Sequence, residues 1–472
     1  MKRHLSLILA ILALLAVFTT VALAKDDYAI PRSVIARGGG ISADVTTRAA
    51  RAVMGSSTSG TSETLHPSTA SFSYRLGEEH QLSPDGNGER YLPAVAHNPN
   101  HGEYLVVWHN TWSGSRDVYA RRVSETGQVL SWFCVTTGAN DRFEPAVAYN
   151  AANDEYLVVW MQEASPDVYE IWGRIIPWNA PGVNADFLII SWANRSFWTP
   201  RVAWNSFRNE YLVVWNAFDT TIGFPPGAPN DIAGYRVSAS GVVQNPGSPL
   251  ILATYANPHQ VDIAYNLAAD EYFLTFVVVH TQVTTGNDIY GLRVSWNGTP
   301  VDPPGLIHIC EIEKNQNAPA VATNGQDRYM VVWEHAYSGA DTDIYGREYN
   351  ADGSPVGSYF TIASWTEDTT APDVAANGAN REWLAVWQQA LGGGTGYAVK
   401  GFRWGSGPSV WTYFFDVANY AFWENERPAV AAGIPGYLIA YEGDSSTTNR
   451  HIFGRVWWPE ALYLPLVLRN AP

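Results

Sequence analysis

Apolar residues fall in short runs along this chain, four to seven residues long, and Asn, Gly, Asp and Pro fill the breaks between them. Runs of that length with such boundaries read as β-strands closed by turns. One run, EYLVVW, appears unchanged at 103–108, 155–160 and 210–215. About ten residues before each copy stands a second phrase, PAVAHN, PAVAYN or PRVAWN. The pair continues in looser form as VDIAYN and EYFLTF from Val261, PAVATN and RYMVVW from Pro319, PDVAAN and EWLAVW from Pro372, and PAVAAG and GYLIAY from Pro428. There are seven copies, spaced 52 to 61 residues apart.

A third phrase follows each pair: DVYARRV at 117, EIWGRII at 170, DIAGYRV at 231, DIYGLRV at 288, DIYGREY at 343, AVKGFRW at 398 and HIFGRVW at 451. A more variable fourth run closes the unit, as in FCVTT at 133, FLIIS at 187 and FTIAS at 360. Each unit is therefore four strands. In EYLVVW, Tyr104, Val106 and Trp108 face one side and Leu105 and Val107 the other, and both sets are apolar. A strand buried on both faces needs a sheet on either side, so the units stack on one another. The pattern predicts an all-β fold, a seven-bladed β-propeller of four-stranded antiparallel blades.

Ring closure is legible as well. The seventh unit has three strands and then a short tail, whereas LGEEHQLSPDGNGERYLPAVA from Leu76 resembles VGSYFTIASWTEDTTAPDVA from Val356, where the fourth strand of unit five runs into unit six. The segment around His80, Gln81 and Leu82 is expected to complete blade seven, so that an N-terminal strand closes the ring and removes a free sheet edge. Cys134 and Cys310 then fall on the outermost strands of blades one and four. Strands three blades apart cannot bring two Cα atoms within about 7 Å, which predicts two unpaired cysteines.

Composition agrees with an all-β chain: 472 residues, 13% aromatic and only 16% charged. The N-terminus has the layout of a secretory signal, with Lys2 and Arg3, an apolar run from Leu5 to Leu23 and Ala22-Leu23-Ala24 before Lys25. The domain reading is a signal at 1–24, a Ser/Thr/Gly-rich spacer at 25–70, the propeller at 71–458 and a tail at 459–472. A secreted or cell-surface monomer with no membrane span after cleavage is expected. The formal charge is −16, and two units more negative once Lys2 and Arg3 are removed. Such a surface repels phosphate backbones, which argues against a nucleic-acid partner.

The P-x-V-A-x-N, E-Y-L-V-V-W and D-I-Y-G-x-R series resembles the repeats of secreted bacterial β-propeller proteins whose activity is not settled. The ending Y-L-P-L-V-L resembles C-terminal tails of exported proteins from filamentous green non-sulfur bacteria. The resemblance covers 71–472; it implies the propeller fold and export, and carries over no catalytic residues.

Recurrence discounts several candidates. GADTDIYG lacks the oxygen ligand an EF-hand type calcium loop needs where Tyr345 stands, and the D-I-Y phrase recurs in other units, so Asp117, Asp231, Asp288 and Asp343 read as turn or backbone partners. SPDGNG at 83–88 partly resembles the Asp-box of sialidase-like propellers but occurs once and lacks its aromatic. H-E-x-x-H, C-x-x-C and G-x-S-x-G are all missing from the sequence, and no residue is assigned as catalytic or metal-binding.

The informative positions are in loops. Those joining strands one and two are short and alike (NPNHG, NAAND, NSFRN), whereas those joining strands two and three, and the connectors between blades, vary in length and chemistry and share the opposite face. Variable loops on a rigid scaffold are where propellers place function. That face carries Trp112, Trp192, Trp198, Trp365 and Trp423 together with Glu163, Glu334, Glu367, Asp368, Glu424, Glu426, Glu442 and Asp444. The proposed ligand-binding set is Trp112, Trp192, Trp198, Trp365, Trp423, Glu334, Glu367, Asp368, Glu424 and Glu442. Indole faces with hydrogen-bonding neighbours suit a sugar or peptide, and the carboxylates of units five to seven could hold calcium or act as an acid/base pair. No cofactor other than calcium is implied. The expected function is a non-enzymatic binding or scaffold module for a glycan, peptide or surface protein. The alternative is an extracellular polysaccharide hydrolase or lyase with paired carboxylates in the central pocket.

Overall fold

The computed structural model describes residues 74–459, apart from positions 87, 113, 193–194, 220–230, 255–257, 281–285, 302–304, 311, 339–340, 379–380, 394–395, 406–411, 420–423, 435 and 445–449. Every regular element among the described residues is a strand. They form seven antiparallel sheets in which strands one to four follow in chain order. Blade one is Glu89–Asn98, Glu103–Trp112, Ser115–Ser124 and Val129–Thr136. The first strand of each blade packs against the first strands of both neighbours, and that of blade seven meets that of blade one, which closes a seven-bladed propeller around a central channel.

The repeated hexapeptide is the second strand of its blade. Tyr104, Leu105, Val106, Val107 and Trp108 are wholly buried because a neighbouring sheet covers each face. Its Glu has a separate task, salt-bridging an Arg of the third strand: Glu103 with Arg122 at 2.7 Å, Glu210 with Arg236 at 2.7 Å and Glu382 with Arg403 at 2.5 Å. The Asn ending the first phrase makes the turn, as where Asn150 Oδ1 accepts the backbone N–H groups of Ala152 and Asn153. The third-strand aspartates are likewise occupied, Asp117 by Arg142 at 3.3 Å and Asp231 by Arg195 at 3.2 Å.

Blade seven is completed from the N-terminal side. His80 and Gln81 pair with Gly454 and Phe453, and the Leu82 N–H donates to the Ile452 carbonyl at 2.7 Å. A further short strand, Tyr74–Leu76, pairs with the end of Arg450–Pro459. The SPDGNG turn then wraps the buried Arg90, whose guanidinium donates to the carbonyls of Pro84, Gly86 and Gly88 at 2.9, 3.1 and 2.5 Å. Cys134 and Cys310 are both free thiols.

The inner strands share a further feature that no repeated phrase announces. The residue before the first-phrase Pro, or before Val261 in blade four, has a left-handed backbone in all seven blades: Leu92, Glu144, Thr199, Gln260, Ala318, Ala371 and Arg427, with φ between 45° and 53°. The pairing register slips by a residue at each, so each inner strand carries a bulge. A left-handed L-residue costs about 1–2 kcal/mol. Here the bulge turns a backbone N–H towards the preceding blade, where a side chain accepts it. Leu92 donates to Glu442 at 2.8 Å, Ala371 to Glu334 at 2.7 Å, Arg427 to Gln388 at 2.8 Å and Ala318 to Gln260 at 2.8 Å. These bonds stitch the blades together around the channel.

Candidate functional site

The acceptor that receives the bulge N–H is usually the residue just after the hexapeptide. Across the blades this position holds His109, Met161, Asn216, Val277, Glu334, Gln388 and Glu442. Like the bulge residue and the one before it, this place varies freely from blade to blade, and it rings the channel mouth on the variable-loop face. Glu442 is fully buried and Glu334 partly so. Burial raises both carboxyls above their ordinary range; Asp368 adds to the rise at Glu334, while Arg427 and Arg450 oppose it at Glu442.

The structure brings part of the predicted acidic set together. Glu424, Glu426 and Glu442 converge on the Arg450 guanidinium at 2.7, 3.0 and 2.8 Å, with Arg427 also 3.4 Å from Glu442. Glu442 therefore serves as an internal anchor rather than an exposed ligand group. Glu367 accepts from Thr366 Oγ1 at 2.9 Å, and Asp368 Oδ1 is a buried oxygen with no hydrogen-bond partner. Among the described residues no three His, Cys, Asp or Glu side chains are grouped to hold a metal.

The predicted tryptophans separate. Trp365 is 40% exposed, stacks at 6.1 Å on the buried Trp387 and meets the outer-strand Phe414 edge-on, which puts it towards the rim. Trp192 occupies the equivalent place after the fourth strand of blade two, edge-on to Phe197. Trp423 and the Trp112 side chain lie outside the described residues. Only Trp198 belongs to the channel mouth, and there it is part of a larger construction.

Six rings run continuously round the mouth from blade one to blade three. Tyr91 stacks on His109 at 5.5 Å, His109 meets Phe143 edge-on at 6.1 Å, and Phe143 meets Tyr169 at 5.6 Å. Tyr169 meets Trp198 at 4.9 Å, and Trp198 meets Phe218 at 5.8 Å. Five of the six are partly exposed; His109, at 5%, is not. Burial, with Arg116 and Arg427 nearby, lowers the His109 imidazole to about 3, so it is neutral at any physiological pH. Its Nδ1 has no hydrogen-bond partner.

Beside this arc stands Glu144, the left-handed residue of blade two. Its carboxylate is half-buried and makes no ion pair or hydrogen bond among the described residues. Burial raises its pKa, and Arg201 and Arg427 oppose the rise only from a distance. Arg427 belongs to blade seven, so its field reaches Glu144 across the channel. Sequence reasoning missed Glu144, Tyr169, Phe143, His109, Tyr91 and Phe218. Three registers could have revealed four of them: the residue before each bulge for Tyr91 and Phe143, the one following the hexapeptide for His109, and the one preceding the third phrase for Tyr169.

No family model and no curated protein matches this sequence. Among solved structures, the chain is similar to a Dyadobacter fermentans protein of unknown function (TM-score 0.48, 9% identity, 82% of this chain and 99% of that one). It is also similar to the β-propeller domain of the Trilobed protease from Pyrococcus furiosus (TM-score 0.46, 9% identity, 82% and 100%). A third similar structure is the polysaccharide lyase Uly1 (TM-score 0.45, 9% identity, 91% and 98%).

Proposed function

We propose that this protein is an exported, non-enzymatic binding module that takes a glycan at the channel mouth of its variable-loop face. One observation carries the reading: the unbroken arc of six rings from Tyr91 to Phe218, of which five keep partly open surface. Ring faces bury the apolar side of a sugar, while the half-buried Glu144 carboxylate stands ready for hydroxyl groups. Calcium is not required by this geometry.

The test is a glycan array of the full chain against a Tyr169→Ala/Trp198→Ala variant. Binding of a defined glycan class by the parent, lost in a variant that still melts cooperatively, is the expected result. A parent that captures no glycan would overturn the reading. A second reading, polysaccharide cleavage, is favoured by Glu144 alone, since a half-buried carboxyl with a raised pKa suits a general acid. Release of reducing ends from a polysaccharide panel, abolished by Glu144→Gln, would support it.

A further inference from the structure

The same contact is built three times in succession around the mouth. Between blades seven and one, the Arg450 guanidinium lies 5.2 Å from the centre of the Tyr91 ring. Between blades one and two, Arg116 lies 4.5 Å from that of Phe143. Both cations come from the residue preceding the third phrase, and both rings from the residue preceding the bulge. At the next seam those positions hold Tyr169 and Trp198. Two seams thus supply an internal cation to an aromatic face, and the third supplies none from that position.

The third seam carries negative charge of its own, with Glu163 opposite Tyr169 in the strand pairing. Glu163 and Asp167 stand close enough to push the Tyr169 phenol up, after burial, and neither side chain has an ion-pair or hydrogen-bond partner among the described residues. Glu144, beside Phe143, is likewise unpaired. By contrast Asp141 of the preceding seam is held by Arg116 at 3.3 Å, and its place at the third seam is taken by Ser196, whose hydroxyl accepts the Tyr169 N–H at 3.0 Å. At the preceding seam, beside Phe143, the buried His109 Nδ1 lacks a partner.

We infer that the seam between blades two and three binds a protonated amine carried on a sugar, with Trp198 and Tyr169 packing the sugar ring and Glu144, Glu163 and Asp167 supplying the opposing charge. The inference rests on the glycan reading and narrows it to amine-bearing glycans. Cation–π attraction and unpaired carboxylates both favour an organic cation, and the neighbouring guanidiniums show the shape of guest that such a seam accepts. An N-acetylated sugar offers the same ring to the aromatic faces and hydrogen bonds to the three carboxylates, but no opposing charge.

The probe pair is a fully deacetylated β-1,4-glucosamine hexamer and its N-acetylated counterpart, titrated calorimetrically into the full chain at low salt and at a pH where the amine is protonated. The deacetylated hexamer should bind at least about tenfold more tightly, with the preference shrinking as salt screens the carboxylates. Tyr169→Arg, which installs the cation used by the two preceding seams, should abolish the preference without lowering the melting temperature. Glu163→Gln, at a half-buried strand position opposite Tyr169, provides a second variant and should weaken amine binding several-fold. Equal affinity for the two hexamers would sink the amine inference and leave the glycan reading standing. Binding of neither would remove both. Unchanged amine binding in a folded Tyr169→Arg protein, or in Glu163→Gln should Tyr169→Arg not fold, would also overturn it.

Discussion

The two halves of the channel mouth share one backbone and differ in what fills it. From blade seven round to blade three, the contacts across successive seams are Arg450 on Tyr91, Arg116 on Phe143 and Tyr169 on Trp198. In the other half these places, or residues beside them, make plain hydrogen bonds at two seams. Asn287 donates to Asn317 at 2.8 Å between blades four and five, and the Thr342 carbonyl is bonded by Thr369 at 2.5 Å between blades five and six. The seam is a fixed mechanical joint that tolerates either chemistry. Among the described mouth residues it is the aromatic half that keeps open ring faces beside unpaired charge, and the proposed site is placed there for that reason.

The largest effect expected from disturbing this contrast lies at the position it shares across the ring. Glu442, in the aromatic half, anchors the Leu92 N–H and neutralises Arg450; Glu334, in the polar half, holds only the Ala371 N–H among its described bonds. Glu442→Ala leaves the Leu92 N–H without its acceptor and Arg450 with Glu424 and Glu426 only, and should cost more than the N–H alone, about 2–4 kcal/mol. Glu334→Ala strands the N–H alone and should cost about 1–3 kcal/mol. Denaturant unfolding of the two variants side by side measures the difference; equal losses would mean that the halves are mechanically alike.

Next in size is Trp198→Ala. Wholly buried Trp-to-Ala changes cost about 3–5 kcal/mol, and a half-buried ring should give roughly half of that. The stability loss should therefore be moderate, about 2 kcal/mol, while glycan binding disappears. A Trp365→Ala variant, at the rim, should lose less binding than stability. Reversed outcomes would move the site from the mouth to the rim.

This ranking departs from what the sequence alone suggests, for a physical reason. Blades, strand order, the closing strand at His80 to Leu82 and the unpaired cysteines were legible because each follows from a local phrase repeated at a fixed interval. The arc is assembled from residues with no phrase of their own. Tyr91, Phe143 and Trp198 occupy one register position but look like ordinary strand aromatics. Their partners Arg450, Arg116 and Tyr169 come from the blade before, 25 to 30 residues upstream in the ordinary case and at the opposite end of the chain for Tyr91. Counting exposed tryptophans on variable loops found Trp198 but also selected Trp192 and Trp365, which serve the outer part of the blades. Glu144 was invisible because its importance comes from a bulge that only the pairing register reveals.

A smaller effect separates the halves by pH. His109 is neutral when folded, whereas in the unfolded chain it takes up a proton below about 6.5. Its contribution to stability is thus complete above that pH and is lost as the pH falls towards about 3. Glu334 has the opposite sign. Its raised folded-state pKa penalises the ionised form at neutral pH, and that penalty is relieved as the pH falls through the raised value towards 4.5. Replacing His109 with Gln should flatten the acid loss of stability, and replacing Glu334 with Gln should steepen it. Denaturant midpoints at pH 7 and pH 5 for the two variants test the signs, and parallel shifts would contradict the assignment of His109 to a neutral, dry place in the arc.

The smallest effect tests whether the joint itself is the same in both halves. Ala371 holds a left-handed backbone at φ 52° in the polar half, and Leu92 does so at 53° in the aromatic half. Glycine removes the Cβ clash at either place but also loosens the unfolded chain, so the net gain at Ala371 should be no more than about 1 kcal/mol. At Leu92 the same change also removes a half-buried side chain between Tyr91 and Glu442, and that loss should cancel the gain. A thermal shift that is positive for Ala371→Gly and near zero for Leu92→Gly would show a strained but uniform backbone ring whose side chains alone distinguish the two arcs. A rise at both would mean that Leu92 contributes nothing at the mouth, and the aromatic arc would then begin at Tyr91 with no apolar support beneath it.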